Sequence, residues 1–402
     1  MFRRLFAPCP ADNLPTSEPA AAQDRRAILL PSIMSSVSAL IIADPRCFAP
    51  SSDNPYCGSA QQWIDQPAAS EREAVSPELC ERYRAALEAA DDAEIADSLQ
   101  AATSPAIYRC LWTSLVRALG GNARENRNPA ARMFAIPLLI VTGGKGGLTV
   151  PGVLPDIAGV QRVLEQNGAL GRTRNFGLSN ALCALETVAQ MPFSRVYSIG
   201  QGSIGVGAEA TTDVTTLDLH PSDLIVLGAD ESVHLRFLAG AAVTAADAPS
   251  FLETGADIGA WGMPLTRELS AQLKVDGLSI LPMSRPPQDW LSAQVSGWRA
   301  REELSFQAFV SRVLKRFRAE VGEPEATIAA LDSGTIALRL ASPFIENRIE
   351  VHRWTPHALD DVCEIAQGML DMLAECRVDH IEVIPTLVSE QMFANPTARP
   401  AH

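Results

Sequence analysis

A run of glycines interrupted by one lysine, Gly143-Gly144-Lys145-Gly146-Gly147, follows the apolar stretch 134–141. Glycines directly after a buried strand let several backbone N–H groups turn toward one point, where they can bind an anion. Lys145 would supply a positive charge at that point. The pattern predicts an anion-binding turn formed by Gly143, Gly144, Lys145, Gly146 and Gly147, with Arg172 and Arg174 as further basic groups.

Positive charge is concentrated around this turn. Residues 101–180 carry nine Lys or Arg and three Asp or Glu, a local charge of +6. Residues 181–260 carry ten acids and two arginines, a local charge of −8. Such asymmetry indicates a local anion site or a complementary contact surface. Solvated or paired surface arginines explain the same charges without a ligand.

The lysine turn lacks the spacing of a nucleotide-hydrolysing P-loop. That loop needs a Ser or Thr directly after its lysine, to reach the metal that accompanies the phosphates. Here Lys145 is followed by Gly146, and the nearest hydroxyl after it belongs to Thr149. Two interpretations therefore remain, a looser anion-binding turn and an exposed turn without a ligand.

A second glycine-rich turn, Gly200-Gln201-Gly202-Ser203-Ile204-Gly205, contains the spacing G-x-G-x-x-G. A dinucleotide site requires a helix to begin at these glycines. The segment 195–199 before them is predicted to be a strand, and the threonine-rich segment 211–219 after them is predicted to be another. A glycine-rich connection between two strands is therefore favoured, and no cofactor is predicted.

Ser179 and Cys183 are the two candidate nucleophiles. Gly177-x-Ser179-x-Ala181 approximates the sharp turn that presents a catalytic serine before a helix, and a helix is predicted over 179–189. The segment through Gly200 also resembles the strand–cysteine–helix–strand of thiolase-fold condensing enzymes, which would place Cys183 near the position of their nucleophile. It lacks the small residues that those enzymes have beside the cysteine. A simpler interpretation makes Ser179 the N-cap of the helix and Cys183 a core residue.

A metal site is not predicted. The eight cysteines form no C-x-x-C pair, and none lies near a histidine at the spacing of zinc ligands. His352, His357, Asp360 and Asp361 could form a metal or acid–base site. A histidine on a strand followed by a helix whose first turn is acidic explains the same residues.

The order of the predicted helices and strands indicates an α/β core with a mixed sheet and flanking helices. A helical region precedes this core, and a small α+β domain with an antiparallel sheet follows it. Ser-Pro pairs start two of the early helices, and Asp332-Ser333-Gly334 predicts a hairpin in the last domain. The predicted segments are a flexible tail (1–26), a mainly helical region with one leading strand (27–127), the α/β core with both glycine turns (128–299), an α-β-β-β-α-β domain (300–386) and a second tail (387–402).

Composition bounds the function. Hydrophobic residues make up 47% of the 402-residue chain, which is typical of a globular protein, and the net charge of −14 disfavours nucleic acid and anionic membranes as partners. Because no catalytic constellation is evident, the sequence predicts a cytoplasmic protein that associates with a protein partner or with its own copies. The alternative is a small-molecule enzyme or sensor that binds a phosphorylated or carboxylate ligand at the turn 143–147.

Overall fold

The computed structural model describes residues 42–48, 53–66, 75–120, 130–143, 150–151, 153–170, 176–201, 216–217, 225–226, 231–244, 255, 257–274, 277–283, 285–345 and 348–394. The chain divides into two units. The α/β unit comprises Phe48–Arg301, and the α+β unit comprises Met1–Cys47 together with Glu302–His402. The predicted architecture is confirmed: a helical region, an α/β core and a small α+β part follow one another along the chain.

Four helices form the first part of the α/β unit: α1 (Pro55–Ile64), α2 (Pro77–Glu88), α3 (Asp92–Gln100) and α4 (Pro105–Leu119). The last three were predicted. Ser76 and Ser104 accept hydrogen bonds from backbone N–H groups three residues on, as N-caps do. Helix α1 was not predicted, because its first residues had been assigned to a proline-rich loop. Asn54 nevertheless caps it, and Pro55 starts it.

The central sheet of the α/β unit has the strand order β3-β6-β1-β7. Its strands are β1 (Ala130–Gly143), β3 (Phe176–Ala184), β6 (Glu231–Thr244) and β7 (Leu278–Pro282), with β5 (Ile225–Val226) on β6 and β8 (Gln288–Asp289) on β1. Strands β2 (Val150–Pro151) and β4 (Thr216–Leu217) form a separate pair. Every described pair in the central sheet is antiparallel, whereas a mixed sheet was predicted.

Pro137 lies inside β1, although a proline cannot donate a ladder hydrogen bond. The pairing with β7 ends at Leu138, and the pairing with β8 covers Phe134 and Ala135. The carbonyl of Pro137 accepts the N–H of Met283 at 3.3 Å. Because the N–H and C=O of one residue in an antiparallel strand point to the same neighbour, the missing N–H faces the gap between β7 and β8.

Helices α5 (Ile157–Gln166) and α8 (Ile258–Leu273) pack on the face of the sheet that carries Phe134, Ile136 and Leu138. Two predictions in this unit are wrong. The segment predicted as a helix over 179–189 is the strand β3, followed by a short helix α6 (Leu185–Gln190). The segment predicted as a strand over 195–199 belongs to helix α7 (Phe193–Gln201).

Helix α9 (Trp290–Glu320) begins in the α/β unit and ends in the α+β unit. The boundary predicted between residues 299 and 300 lies inside this helix. A single glycine, Gly297, lies in the early part of this continuous helix, and close packing explains why it is a glycine. A Cβ built on Gly297 would lie 2.7 Å from both Phe237 Cζ and Leu185 Cδ1. The glycine marks a close contact within the α/β unit and not a helix end.

The sheet of the α+β unit has the order β11-β10-β9-β12. Its strands are β9 (Glu325–Leu331), β10 (Ile336–Ala341), β11 (Ile349–Trp354) and β12 (His380–Val388), and helix α10 (Val362–Glu375) precedes β12. The predicted hairpin joins β9 to β10, with Gly334 at φ 87°. The sheet is mixed and not wholly antiparallel as predicted, because β12 pairs parallel to β9. A short helix, α11 (Glu390–Ala394), lies in the predicted tail and buries Phe393.

The segment 42–47 belongs to the α+β unit although most of that unit lies at the other end of the chain. Ile42 is buried in its core, and the N–H of Ala43 donates to the carbonyl of Pro385 at 3.0 Å. The leading strand was predicted over 38–43; Ile42 and Ala43 are not in a strand, and the rest of it lies outside the described residues. No helix in the described part of the chain is long and apolar enough to cross a membrane.

Candidate functional site

The predicted anion-binding turn begins where β1 ends. Gly143 is the last residue of β1 and pairs with Glu231, the first residue of β6. Gly144, Lys145, Gly146, Gly147, Arg172 and Arg174 lie outside the described residues. The buried strand predicted before the turn is present, and Gly143 ends it between the neighbouring strands β6 and β7. Its capacity to bind an anion stays a prediction.

The two candidate nucleophiles lie on a strand and are both buried. Ser179 is fully buried at an irregular point of β3, where three residues separate Leu178 from Leu182 but one residue separates their partners on β6. Its Oγ accepts the N–H of Ala181 at 3.2 Å. Such a bulge ties Ser179 to its own backbone. Ser179 is therefore neither the N-cap of a helix nor part of a sharp strand–helix turn.

Cys183 pairs with Phe237 in the middle of the sheet and is 4% exposed. Burial raises the pKa of its thiol to about 11, and the nearby Arg236 opposes this shift. A thiol with such a pKa is protonated at neutral pH, and only the thiolate is a strong nucleophile. Cys183 and Ser179 lie on the same strand. Cys183 is buried and protonated there, as is typical of a core cysteine.

Two buried polar residues on β6 were not identified from the sequence. His234 and Arg236 are 2% and 1% exposed, and they lie opposite Ile140 and Leu138 of β1. Burial and, to a smaller extent, the charge of Arg236 together lower the pKa of His234 to about 4. The signal was present, since a histidine and an arginine alternate with apolar residues in a predicted central strand. Their register places both on the core face.

A surface groove of about 770 Å³ lies in the helical part of the α/β unit, between α7 and the connection from α2 to α3. Its polar residues already contact one another. The carboxylate of Asp92 accepts the backbone N–H of Ser194 at 2.8 Å, near the start of α7. The hydroxyl of Tyr197 donates to Glu88 at 3.2 Å. These bonds hold α7 against the helical region, which is a structural role.

His352 and His357 occupy different environments in the α+β unit. The ring of His352 lies between Phe306 and Phe309, with centroids 5.5 and 5.2 Å away. His357 belongs to the turn before α10, where its N–H donates to Asp360. Asp361 caps α10. Within the described residues no group of three or more His, Cys, Asp or Glu side chains is arranged to hold a metal.

An apolar turn protrudes from the α+β unit between β10 and β11. Phe344 is 80% exposed and Ile345 is 47% exposed, and Phe344 is the most exposed large apolar residue among those described. The Oγ of Ser342 accepts the N–H groups of both residues, at 3.2 and 3.1 Å. The N–H of Ser342 donates to the backbone carbonyl of Arg348 at 3.0 Å, which closes the base of the turn.

The chain is thus a two-unit protein, in which an antiparallel α/β unit is inserted in sequence into an α+β unit whose surface carries an ordered apolar turn. No protein-family model matches the chain, and no curated protein and no solved structure matches it.

Proposed function

We propose that this protein acts by associating with another protein chain, either a second copy or a different partner, through the turn that carries Phe344 and Ile345. The observation that supports this proposal is the exposure of two adjacent large apolar side chains, 80% and 47%, on a turn that the three hydrogen bonds described above hold in shape.

The exposure of these two side chains and the fixed shape of the turn both favour binding. Burying a side chain such as phenylalanine contributes about 1.5–3 kcal/mol. Aromatic anchors of this kind carry much of the energy of protein interfaces. A turn already fixed by Ser342 loses little conformational entropy on binding. Charged residues beside the turn, such as Arg348 and its partner Glu320, would supply the polar rim of an interface.

Site-specific photo-crosslinking tests the proposal in the full chain. Phe344 is replaced by p-benzoylphenylalanine, and the control position is Met263 of the α/β unit, which is 54% exposed. We expect covalent adducts from position 344 and few from position 263. Mass spectrometry of the adduct identifies the partner, and light scattering after size exclusion shows whether a second copy is involved.

The variant Phe344→Ser/Ile345→Ser provides the complementary test. It should abolish the association that the crosslink detects and leave the melting temperature of the chain unchanged, because neither side chain is buried. Equal adducts at both positions, or an association that survives the double substitution, would contradict the proposal.

Binding of a small anion at the turn 143–147 is the second candidate. The observation that favours it is the position of Gly143. This residue ends a buried central strand, as the anion-binding pattern requires. Thermal stabilisation by phosphate or phosphorylated metabolites, lost in Lys145→Ala, is the expected result. A ligand panel that leaves the melting temperature of the wild type unchanged would exclude it.

A further inference from the structure

A small internal cavity of about 20 Å³ lies in the α/β unit where α4 ends and α9 begins. Leu119 and Gly120 of α4, Arg132 of β1, and Asp289 and Trp290 contribute to its wall. This volume accommodates one water molecule or one monatomic ion. A phosphate or a carboxylate is too large for it.

Two buried side chains of this wall carry N–H groups without an acceptor in the described part of the chain. Arg132 is 5% exposed and Trp290 is 2% exposed. The atoms concerned are Arg132 Nε and Trp290 Nε1. Leaving a buried donor unsatisfied costs about 1–3 kcal/mol, and more for a charged group. Both residues line the cavity, which is therefore the place for the missing acceptor.

The charges around the cavity favour an anionic acceptor. Asp289 is the nearest carboxylate to Arg132, but its Oδ1 lies 3.5 Å from Arg132 Nη1, which is long for an ion pair. Arg117 is close enough to add a second positive charge to the environment of Arg132. Trp290 is also the first residue of α9, whose N-terminus carries a positive partial charge.

We propose that this cavity binds one halide ion, chloride in the cell, held by Arg132 Nε, by the indole N–H of Trp290 and by the positive end of α9. The ion would join β1 to the start of α9, because its ligands come from these two elements. This site is independent of the association proposed for the α+β unit.

The first test measures the melting temperature of the wild-type chain during a chloride titration at constant ionic strength, with gluconate as the replacement anion. We expect the melting temperature to rise and saturate with chloride and with bromide. Trp290→Phe, which keeps an aromatic side chain and removes the indole N–H, should abolish this response. Trp298→Phe, in the same helix and outside the cavity, should retain it.

The second test does not depend on a variant. Crystals of the wild type grown in sodium bromide should show an anomalous-scattering peak within hydrogen-bond distance of Arg132 Nε and Trp290 Nε1. A water molecule at this position with no anomalous signal would overturn the proposal. So would a wild-type melting temperature that is the same in chloride and in gluconate, or a chloride response that Trp290→Phe retains.

Discussion

The guanidinium of Arg132 occupies the space in which a side chain at residue 120 would begin. A Cβ built on Gly120 would lie 1.6 Å from Arg132 Nη2 and 2.1 Å from its Cζ. The backbone of Gly120 has φ −72°, which any residue adopts. Glycine is therefore required at this position by the close approach of the arginine and not by backbone conformation.

Gly120→Ala should destabilise the α/β unit by about 1–3 kcal/mol, the usual cost of forcing extra volume into a packed site. The arginine can yield only by leaving Asp289, and its guanidinium is buried. Gly58→Ala is the matched control, since a Cβ there meets nothing within 4 Å in helix α1. That control should raise the stability by about 0.5–1 kcal/mol. Denaturant unfolding of both variants measures the difference, and a neutral Gly120→Ala would refute the steric argument.

The early helices could be predicted from the sequence because the residues that start them act locally. Ser76 and Ser104 each precede a proline, and this pair fixes a helix start with little help from the rest of the fold. The hairpin at Gly334 was predicted for the same reason. The exposed turn that carries Phe344 was not located from the sequence, because the exposure of Phe344 depends on where the strands on either side of it end.

The helix predicted over 179–189 failed because of the bulge in β3. Leu178 and Leu182 lie on the same face of the sheet, opposite Gly240 and Leu238, yet they are four residues apart. Four residues is the spacing of one helical face. A local pattern cannot distinguish a helix from a strand that contains extra residues, since the bulge is imposed by the neighbouring strand. Ser179 was expected at a helix start because Gly177-x-Ser179-x-Ala181 approximates the turn that presents a catalytic serine before a helix.

Arg46 should contribute most of the hydrogen bonds that hold the segment 42–47 on the rest of the α+β unit. Its Nη1 donates to the carbonyls of His357, Ala358 and Asp360 at 3.1, 2.9 and 2.9 Å. Its other nitrogens bind Asp44. Arg46→Ala leaves three partly buried carbonyls without this donor, and we expect a loss of about 2–3 kcal/mol.

Hydrogen exchange of the backbone amides in β9–β12 measures the effect of Arg46→Ala within the α+β unit. Arg82→Ala serves as the control, because Arg82 pairs with Glu78 on an exposed helix face and should contribute less than about 0.5 kcal/mol. If the amides of these strands exchange equally slowly in both variants, the segment is not held by Arg46.

His352 should make the stability of the α+β unit depend on pH. Burial lowers its pKa to about 4, and the charge of Arg312 acts in the same direction. In the unfolded chain the ring would titrate near 6.5. Between pH 6.5 and about 4 the unfolded state therefore binds a proton that the folded state does not, so stability falls as the pH falls. The slope should be about 1.4 kcal/mol per pH unit.

Unfolding of the α+β unit, followed by hydrogen exchange between pH 7.5 and 4, measures this slope. His352→Gln should remove it. His234→Gln should leave it unchanged, since His234 belongs to the α/β unit, where the same argument predicts a second slope. A slope that survives in His352→Gln would assign the pH dependence to other groups.

Cys183 should react slowly with alkylating reagents while the sheet is folded. A pKa of about 11 leaves about a thousandth of the thiol ionised at pH 8, and the side chain is 4% exposed. Cys47 and Cys363 are exposed and act as internal controls in the same sample. Mass spectrometry after timed exposure to iodoacetamide should show modification of both controls long before Cys183. Modification of Cys183 at the rate of Cys363 would instead identify an accessible, activated thiol and restore Cys183 as a candidate nucleophile.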